Sequence, residues 1–418
     1  MKKGILLFFV ICLCGSMFLL SGAAEERIPE TIVSGYYEYS VLEDGTAKVL
    51  GYFGSEEDLT VANQLDGHPV TSISDSFYEQ TFITSIIIPD SITSIESNPF
   101  GSWPFLQKIE VSPENQYFTV IDDVLFTKED KKLICYPCGL TAETYRIPDG
   151  TAAIGDYAFS NCTSLSSVTV PDSVTVIGNN PFRGIWDCTV NVSPENRYFA
   201  VTDGVLFSKA DMRLIYRPNG WGEPAPYEIP DGIKIIGDYA FCNNYLMTSV
   251  TIPASVTDIG NGAFFGCTDL ISVTIPEGVI TVGDSAFESC AILESVSIPN
   301  SVTTVGDRAF CSCQFLSSIT LPDGITRIGN SLCTSSGIMS FTIPDSVTAI
   351  GDYAFRDTYM HSLQIPDSVT SIGVDAFADC IIPLILIVGR DSYAAGYAEE
   401  NGLIYQYVDE VCVSGDNM

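Results

Sequence analysis

Leu270-Ile271-Ser272-Val273-Thr274-Ile275-Pro276-Glu277-Gly278-Val279-Ile280-Thr281-Val282-Gly283-Asp284-Ser285-Ala286-Phe287-Glu288-Ser289-Cys290-Ala291-Ile292 is one period of a repeat. A step of 23 residues gives Leu293, Val296, Ile298, Pro299, Val302, Val305, Gly306, Ala309, Phe310 and Cys313 at the same places. A second step gives Leu316, Ile319, Leu321, Pro322, Ile325, Ile328 and Gly329. Apolar residues at fixed offsets predict a solenoid, because no single repeat can bury its own apolar side and each must stack on its neighbours.

This reading resolves a problem of size. Compact cores rarely grow past roughly 250–300 residues, whereas a coil of 418 residues lengthens without thickening. The 52 acidic residues outweigh 19 basic ones, for a net charge of −33. Nucleic acid and anionic lipid are therefore excluded as expected partners, since both select basic surfaces. Residues 1–24 read as a signal peptide: Lys2-Lys3, an apolar run from Gly4 to Leu20, then small residues Ser21 to Ala24 before Glu25-Glu26. The alternative is an uncleaved anchor, because the run approaches the roughly 17–25 residues that span a bilayer. Cys12 and Cys14 lie within it. We expect a secreted or cell-surface protein with no membrane insertion after cleavage.

Four regions follow along the chain. Residues 25–58 do not fit the repeat and read as a β cap, with β-prone runs on either side of Asp44-Gly45. Residues 59–382 form the coil. Within it, Val111-Ser112-Pro113-Glu114-Asn115 to Phe126 is echoed by Val192-Ser193-Pro194-Glu195-Asn196 to Phe207, predicting inserted hairpins at about 114–147 and 195–228 that stand off one side. Residues 383–418 supply a terminal cap and tail, with a helix over Asp391 to Asn401.

The offsets assign roles within one coil. Val273 and Ile275 point inward together from a short strand, and Pro276 ends that strand because it cannot donate to a ladder. The Ser or Gly two residues after each proline permits a tight turn, and a serine there can bond a neighbouring amide. Gly283-Asp284, Gly306-Asp307 and Gly351-Asp352 read as caps of one outer helical turn. Phe159, Phe241, Phe264, Phe287, Phe310, Phe355 and Phe377 are expected to stack as a continuous column.

Leu-x-x-Val-x-Ile-Pro followed by Val-x-x-Ile-Gly-Asp-x-Ala-Phe-x-x-Cys resembles the BspA-like branch of the leucine-rich repeats. Asp66-Gly67-His68-Pro69-Val70, the two Ser-Pro-Glu-Asn inserts and the terminal Ser392-Tyr393-Ala394-Ala395-Gly396-Tyr397 extend the likeness. The resemblance implies an α/β solenoid: a right-handed leucine-rich-repeat coil with a parallel β-sheet on its concave face, short helical turns outside and β-hairpin inserts. It also implies a secreted or surface-displayed protein associated with adhesion, with no catalytic residues to carry over.

The candidate chemistry is sparse. Cys162, Cys267, Cys290, Cys313 and Cys380 share one repeat position, which allows disulfides or a metal site in an exported protein or a ladder of small core residues. We read the ladder, because side chains in register lie alongside one another instead of pointing at one another. Cys135-Tyr136-Pro137-Cys138 has no second pair for zinc and allows a local disulfide or two unpaired thiols. Asp90, Asp149, Asp172, Asp231, Asp323, Asp345 and Asp367 follow prolines and read as solvated turn caps; the calcium-binding nonapeptide is missing. His68 and His361 sit at opposite ends of the coil, and no catalytic or phosphate-binding motif is present, so neither an enzyme nor a cofactor or metal is expected.

The most distinctive pattern is on the exposed strand positions. Ser249, Thr251, Ser272, Thr274, Ser295, Ser297, Ser318, Thr320, Ser340 and Thr342 predict a nearly uncharged strip of hydroxyls. Ser and Thr also serve simply to keep a β surface soluble. With the insert residues Trp186, Arg197, Tyr198, Arg217 and Trp221, whose aromatic and arginine side chains suit contact surfaces, the strip is the candidate site for an extracellular protein. A polysaccharide ligand and a passive spacer are the alternatives.

Overall fold

The computed structural model describes residues 30–411 except 76, 78–81, 186 and 219–222. The signal-peptide segment, Trp186, Trp221 and the tail 412–418 lie outside the described residues. The chain winds into a parallel β-solenoid of about 15 turns.

Each regular coil contributes to two parallel ladders. The first is the anticipated one: Ser249, Ser272 and Ser295 are register partners, as are Val250, Val273 and Val296. The second had no counterpart in the sequence reading. It is built from two-residue strands such as Asp258–Ile259, Thr281–Val282 and Thr304–Val305, placed just before each Gly-Asx pair. Turn residues behave as expected between the two: Ser255 Oγ donates to Ile233 O at 2.7 Å, and Gly278 N–H donates to Ser301 Oγ at 3.1 Å.

The outer segments correct the α/β expectation, because they are turns and not helices. Gly262, Phe264 and Gly266 donate their N–H groups to Asp284, Ala286 and Glu288 of the next coil at 2.7–2.8 Å. The alternate amides of Ala263, Phe265 and Cys267 turn back to Gly260, Gly262 and Phe264. An α-helix would aim every N–H along its own axis. Here left-handed residues at two fixed places per coil, Gly262 and Gly266, then Ser285 and Ser289, aim half of them sideways. Among the described residues the helices are Tyr393–Glu400 in the terminal cap, with Ser392 as its N-cap, and the short Val408–Val411.

The Gly-Asx pairs therefore do not cap helices; they join coils. Asn261 N donates to Asp238 Oδ1 at 2.8 Å, Asp284 N to Asn261 Oδ1 at 2.9 Å, Asp307 N to Asp284 Oδ1 at 2.8 Å and Asn330 N to Asp307 Oδ1 at 2.8 Å. The preceding glycine is required by proximity. A Cβ on Gly283 would lie 2.7 Å from Asn261 N, and one on Gly306 would lie 2.4 Å from Asp284 N.

The aromatic column forms in segments. Phe241, Phe264, Phe287 and Phe310 stack at centroid distances of 5.1–5.5 Å with rings within 8° of parallel. Phe355 and Phe377 continue it at 5.9 Å. It is interrupted where Cys333 occupies the phenylalanine place, and there the neighbouring alanine place holds Leu332, so bulk moves by one residue.

The inserts are three-stranded antiparallel meanders: Phe118–Ile121, Val124–Thr127 and Lys132–Cys135, then Phe199–Thr202, Val205–Ser208 and Arg213–Tyr216. They do not stand off the coil, because the last strand of each joins the second ladder, pairing with Ala153–Ile154 and Ile235–Ile236. A buried asparagine starts each meander. Asn196 Nδ2 donates to Pro171 O at 2.8 Å and Val174 O at 3.0 Å while its Oδ1 accepts from Tyr198 N and Phe199 N at 2.8 Å; Asn115 repeats the arrangement. The buried core divides at these meanders into three clusters.

Candidate functional site

The first ladder gathers the ten predicted hydroxyl residues onto one face. Inward Val250, Val273, Ile319 and Phe341 are buried, while their flanking hydroxyls are exposed except for half-buried Ser249. This is the alternation of a sheet with one packed face and one wet face. None of the ten hydroxyls donates or accepts a hydrogen bond within the chain among the described residues. By contrast, Ser85 bonds Asp58 Oδ1 and Ser167 accepts from Asn191 Nδ2 at 3.0 Å in the earlier coils.

The face has definite ends. Glu228 pairs with Thr251 at one end, and Ile385 and Ile387 pair with Ser362 and Gln364 at the other. Between them lie six strands, or about 24 Å at one strand spacing per coil. Hydrogen bonding along this ladder is segmented, with Met247–Thr251 to Ser295–Ser297 in one sheet and Ser318–Thr320 with Ser340–Thr342 in another. Exposed apolar side chains border it: Ile271 beside Ser272, Met339 beside Ser340, and Phe315. The sequence reading had not singled these out, because each lies next to a buried repeat residue, Leu270, Ile338 or Leu316, and reads as core.

The insert candidates are elsewhere. Arg197 and Tyr198 are exposed at the start of a meander that belongs to the second ladder, so they do not extend the hydroxyl row. Arg217 packs its guanidinium 4.1 Å over the Tyr227 ring, a contact within the chain.

The eleven described cysteines are all free thiols. Cys267, Cys290 and Cys313 donate Sγ–H to the carbonyls of Phe241, Phe264 and Phe287 at 3.1–3.2 Å, one coil back. Burial pushes the Cys290 and Cys313 thiols well above the ordinary range, which keeps them protonated and unreactive. Cys135 and Cys138 are buried, and Cys138 Sγ–H donates to Ser160 O at 2.9 Å. Asp90, Asp149 and Asp172 are exposed at their turns. No helix among the described residues is long and apolar enough to cross a membrane.

Comparison with known proteins bears on the repeat itself. A family model described as the BspA type leucine rich repeat region matches in 6 copies over residues 71–134, 134–201, 234–360 and 348–387. A comparison with curated proteins finds no match. Among solved structures, a leucine-rich repeat protein from Eubacterium ventriosum is 20% identical, with 84% of this chain and 96% of that one covered and a TM-score of 0.54. A leucine rich cell surface protein from Faecalibacterium prausnitzii is 24% identical over 72% of this chain and 90% of that one, at a TM-score of 0.41. The pneumococcal vaccine antigen PcpA is 20% identical over 91% and 98%, at 0.43. The stacked coils, their two ladders and the span of the repeat matches lead to one assignment: the chain belongs to the BspA-type leucine-rich repeat family.

Proposed function

We propose that this protein is an exported recognition protein that attaches to an extracellular partner protein through the hydroxyl face between Met247 and Gln364. The observation that carries this reading is the row of exposed Ser and Thr side chains, in register and without hydrogen bonds inside the chain, with Ile271, Phe315 and Met339 alongside. Polar groups fix register and exclude wrong partners, while exposed apolar side chains supply anchors that lose water on contact. The leader-like residues 1–24 support export. The uncharged hydroxyls also favour a second reading, a neutral extracellular polysaccharide laid along the same row.

Binding of the purified chain to immobilised extracellular-matrix proteins, and to an array of neutral glycans, tests the proposal. Ser295→Arg with Ser318→Arg places bulk and charge in the middle of the row, at exposed positions that leave the core untouched. We expect binding to fall at least tenfold in this variant, and Met339→Asp to weaken a protein partner but not a glycan. Unchanged binding by the double variant removes the hydroxyl face as the contact surface.

A further inference from the structure

The first meander brings a second thiol up to a cysteine of the ladder. Cys162 holds the regular place, and its Sγ–H donates to Tyr136 O at 3.4 Å, as those of Cys267 and Cys290 do to Phe241 O and Phe264 O. Cys138 arrives from the end of the meander, outside the repeat, and donates Sγ–H to Ser160 O at 2.9 Å. Cys162 Sγ lies 3.5 Å from that same oxygen. Two sulfurs therefore converge on one acceptor, whereas Cys267, Cys290 and Cys313 each have a different carbonyl.

Cys135 is nearer to Cys138 in sequence but belongs to other surroundings. It packs in the N-terminal core cluster with Phe118 and Ile134, while Cys138 and Cys162 pack together in the middle cluster. Burial pushes the Cys162 thiol well above the ordinary range, and a hydrogen bond from Cys162 holds the Cys138 thiol below it. The thiolate is the attacking species in disulfide exchange, so Cys138 is suited to react first. The second block carries Asn219 and Asn244 at the places of Cys138 and Cys162, so the two cysteines are replaced together.

We propose that Cys138 and Cys162, both thiols in this structure, are joined by a disulfide when the chain folds in the presence of a small-molecule disulfide. The Cys138 thiolate attacks one sulfur of the oxidant and releases one small thiolate. The Cys162 thiolate then attacks the Cys138 sulfur of the mixed disulfide and releases the other. The protein gives up two thiol protons and two electrons, and the oxidant leaves as two molecules of thiol. The bond fastens the meander to the next coil at a seam where the first ladder is interrupted, between Lys108–Val111 and Thr144–Arg146. Once folded, the pair is shielded from reductant, with Cys138 7% and Cys162 1% exposed. The bond does not rest on the reading of the hydroxyl face.

Peptide mapping by mass spectrometry tests it. Residues 25–418 are reduced and unfolded, refolded with or without oxidised glutathione, alkylated in denaturant and digested; slow hydrogen exchange around 283–293 in both samples verifies refolding. We expect the peptides carrying Cys138 and Cys162 to be joined in the oxidised sample, with Cys267, Cys290 and Cys313 alkylated in both. Amides around 136–139 and 158–162 should exchange at least about tenfold more slowly with the bond present, because it restricts the open chain. Cys162→Asn, the change already present at Asn244, removes both the joined peptide and the difference in exchange. Cys138 and Cys162 both alkylated after oxidative refolding, Cys138 joined to Cys135 instead, or joining to the ladder cysteines in equal amounts overturns the proposal.

Discussion

Phe287→Ala is expected to destabilise the coils around it by about 3–5 kcal/mol, the usual cost of removing a fully buried aromatic side chain. Phe287 is 0% exposed and stacks between Phe264 at 5.1 Å and Phe310 at 5.5 Å, so its loss damages two coil interfaces at once. In a solenoid the damage stays near the site, because each repeat contacts only its neighbours. Hydrogen exchange of the amides around 283–293 is the appropriate measurement, since long arrays do not unfold as one unit. The chain suggests its own rescue. At Leu332-Cys333 the bulky residue has moved into the alanine place, and both side chains are buried. Ala286→Leu combined with Phe287→Cys should therefore exchange more slowly than Phe287→Cys alone. Equal exchange in the two variants would show that the interior does not accept that transfer of volume.

Gly306→Ala is the second large effect. The added Cβ would stand 2.4 Å from the backbone N and Oδ1 of Asp284, and 2.6 Å from Gly283 C. Backbone cannot swing aside like a side-chain tip, so the coil must open at the bond from Asp307 N to Asp284 Oδ1. Overpacking of this kind costs about 1–3 kcal/mol, and the lost bond adds to it. Gly324→Ala is the control, because nothing lies within 4 Å of its added Cβ. It should be neutral or stabilising by up to about 1 kcal/mol through the unfolded chain. Hydrogen exchange of the amides around each site in the two alanine variants checks the argument; equal exchange would mean that the Gly-Asx contact is not a constraint.

Much of this was legible in the sequence. The offsets of Val273, Ile275, Phe287 and Cys290 identified what points inward, and the parallel register of Ser249, Ser272 and Ser295 follows from a constant period. The outer turn was misread because Gly-Asp-x-Ala-Phe has helix-compatible residues, while the left-handed positions carry no single residue type. They are Tyr239 and Asn243 in one coil, Ser285 and Ser289 in another, and Tyr353 and Asp357 in a third. The recurrence of Asn, Gly, Ser and Asp at the second of these places was the available signal, since such residues tolerate that conformation better than most. The second ladder escaped notice because two residues are too few to show an alternation. The meander was expected to project from the coil because its hairpin turn at Asp203-Gly204 is visible locally, while the docking of Arg213–Tyr216 on Ile235–Ile236 is a long-range pairing.

The central claim is that successive coils stand one strand apart, so that the hydroxyl residues form a single row. Spin labels on cysteines placed at Ser272 and Ser362, both exposed and four coils apart, measure this directly in residues 25–418 once half-buried Cys242 and Cys380, and Cys412 outside the described residues, are replaced by serine. The structure predicts one narrow distribution centred near about 19 Å, four steps at the strand spacing. A mean well beyond about 30 Å, or several separate populations, would contradict stacking at that spacing and remove the row on which the proposed recognition depends.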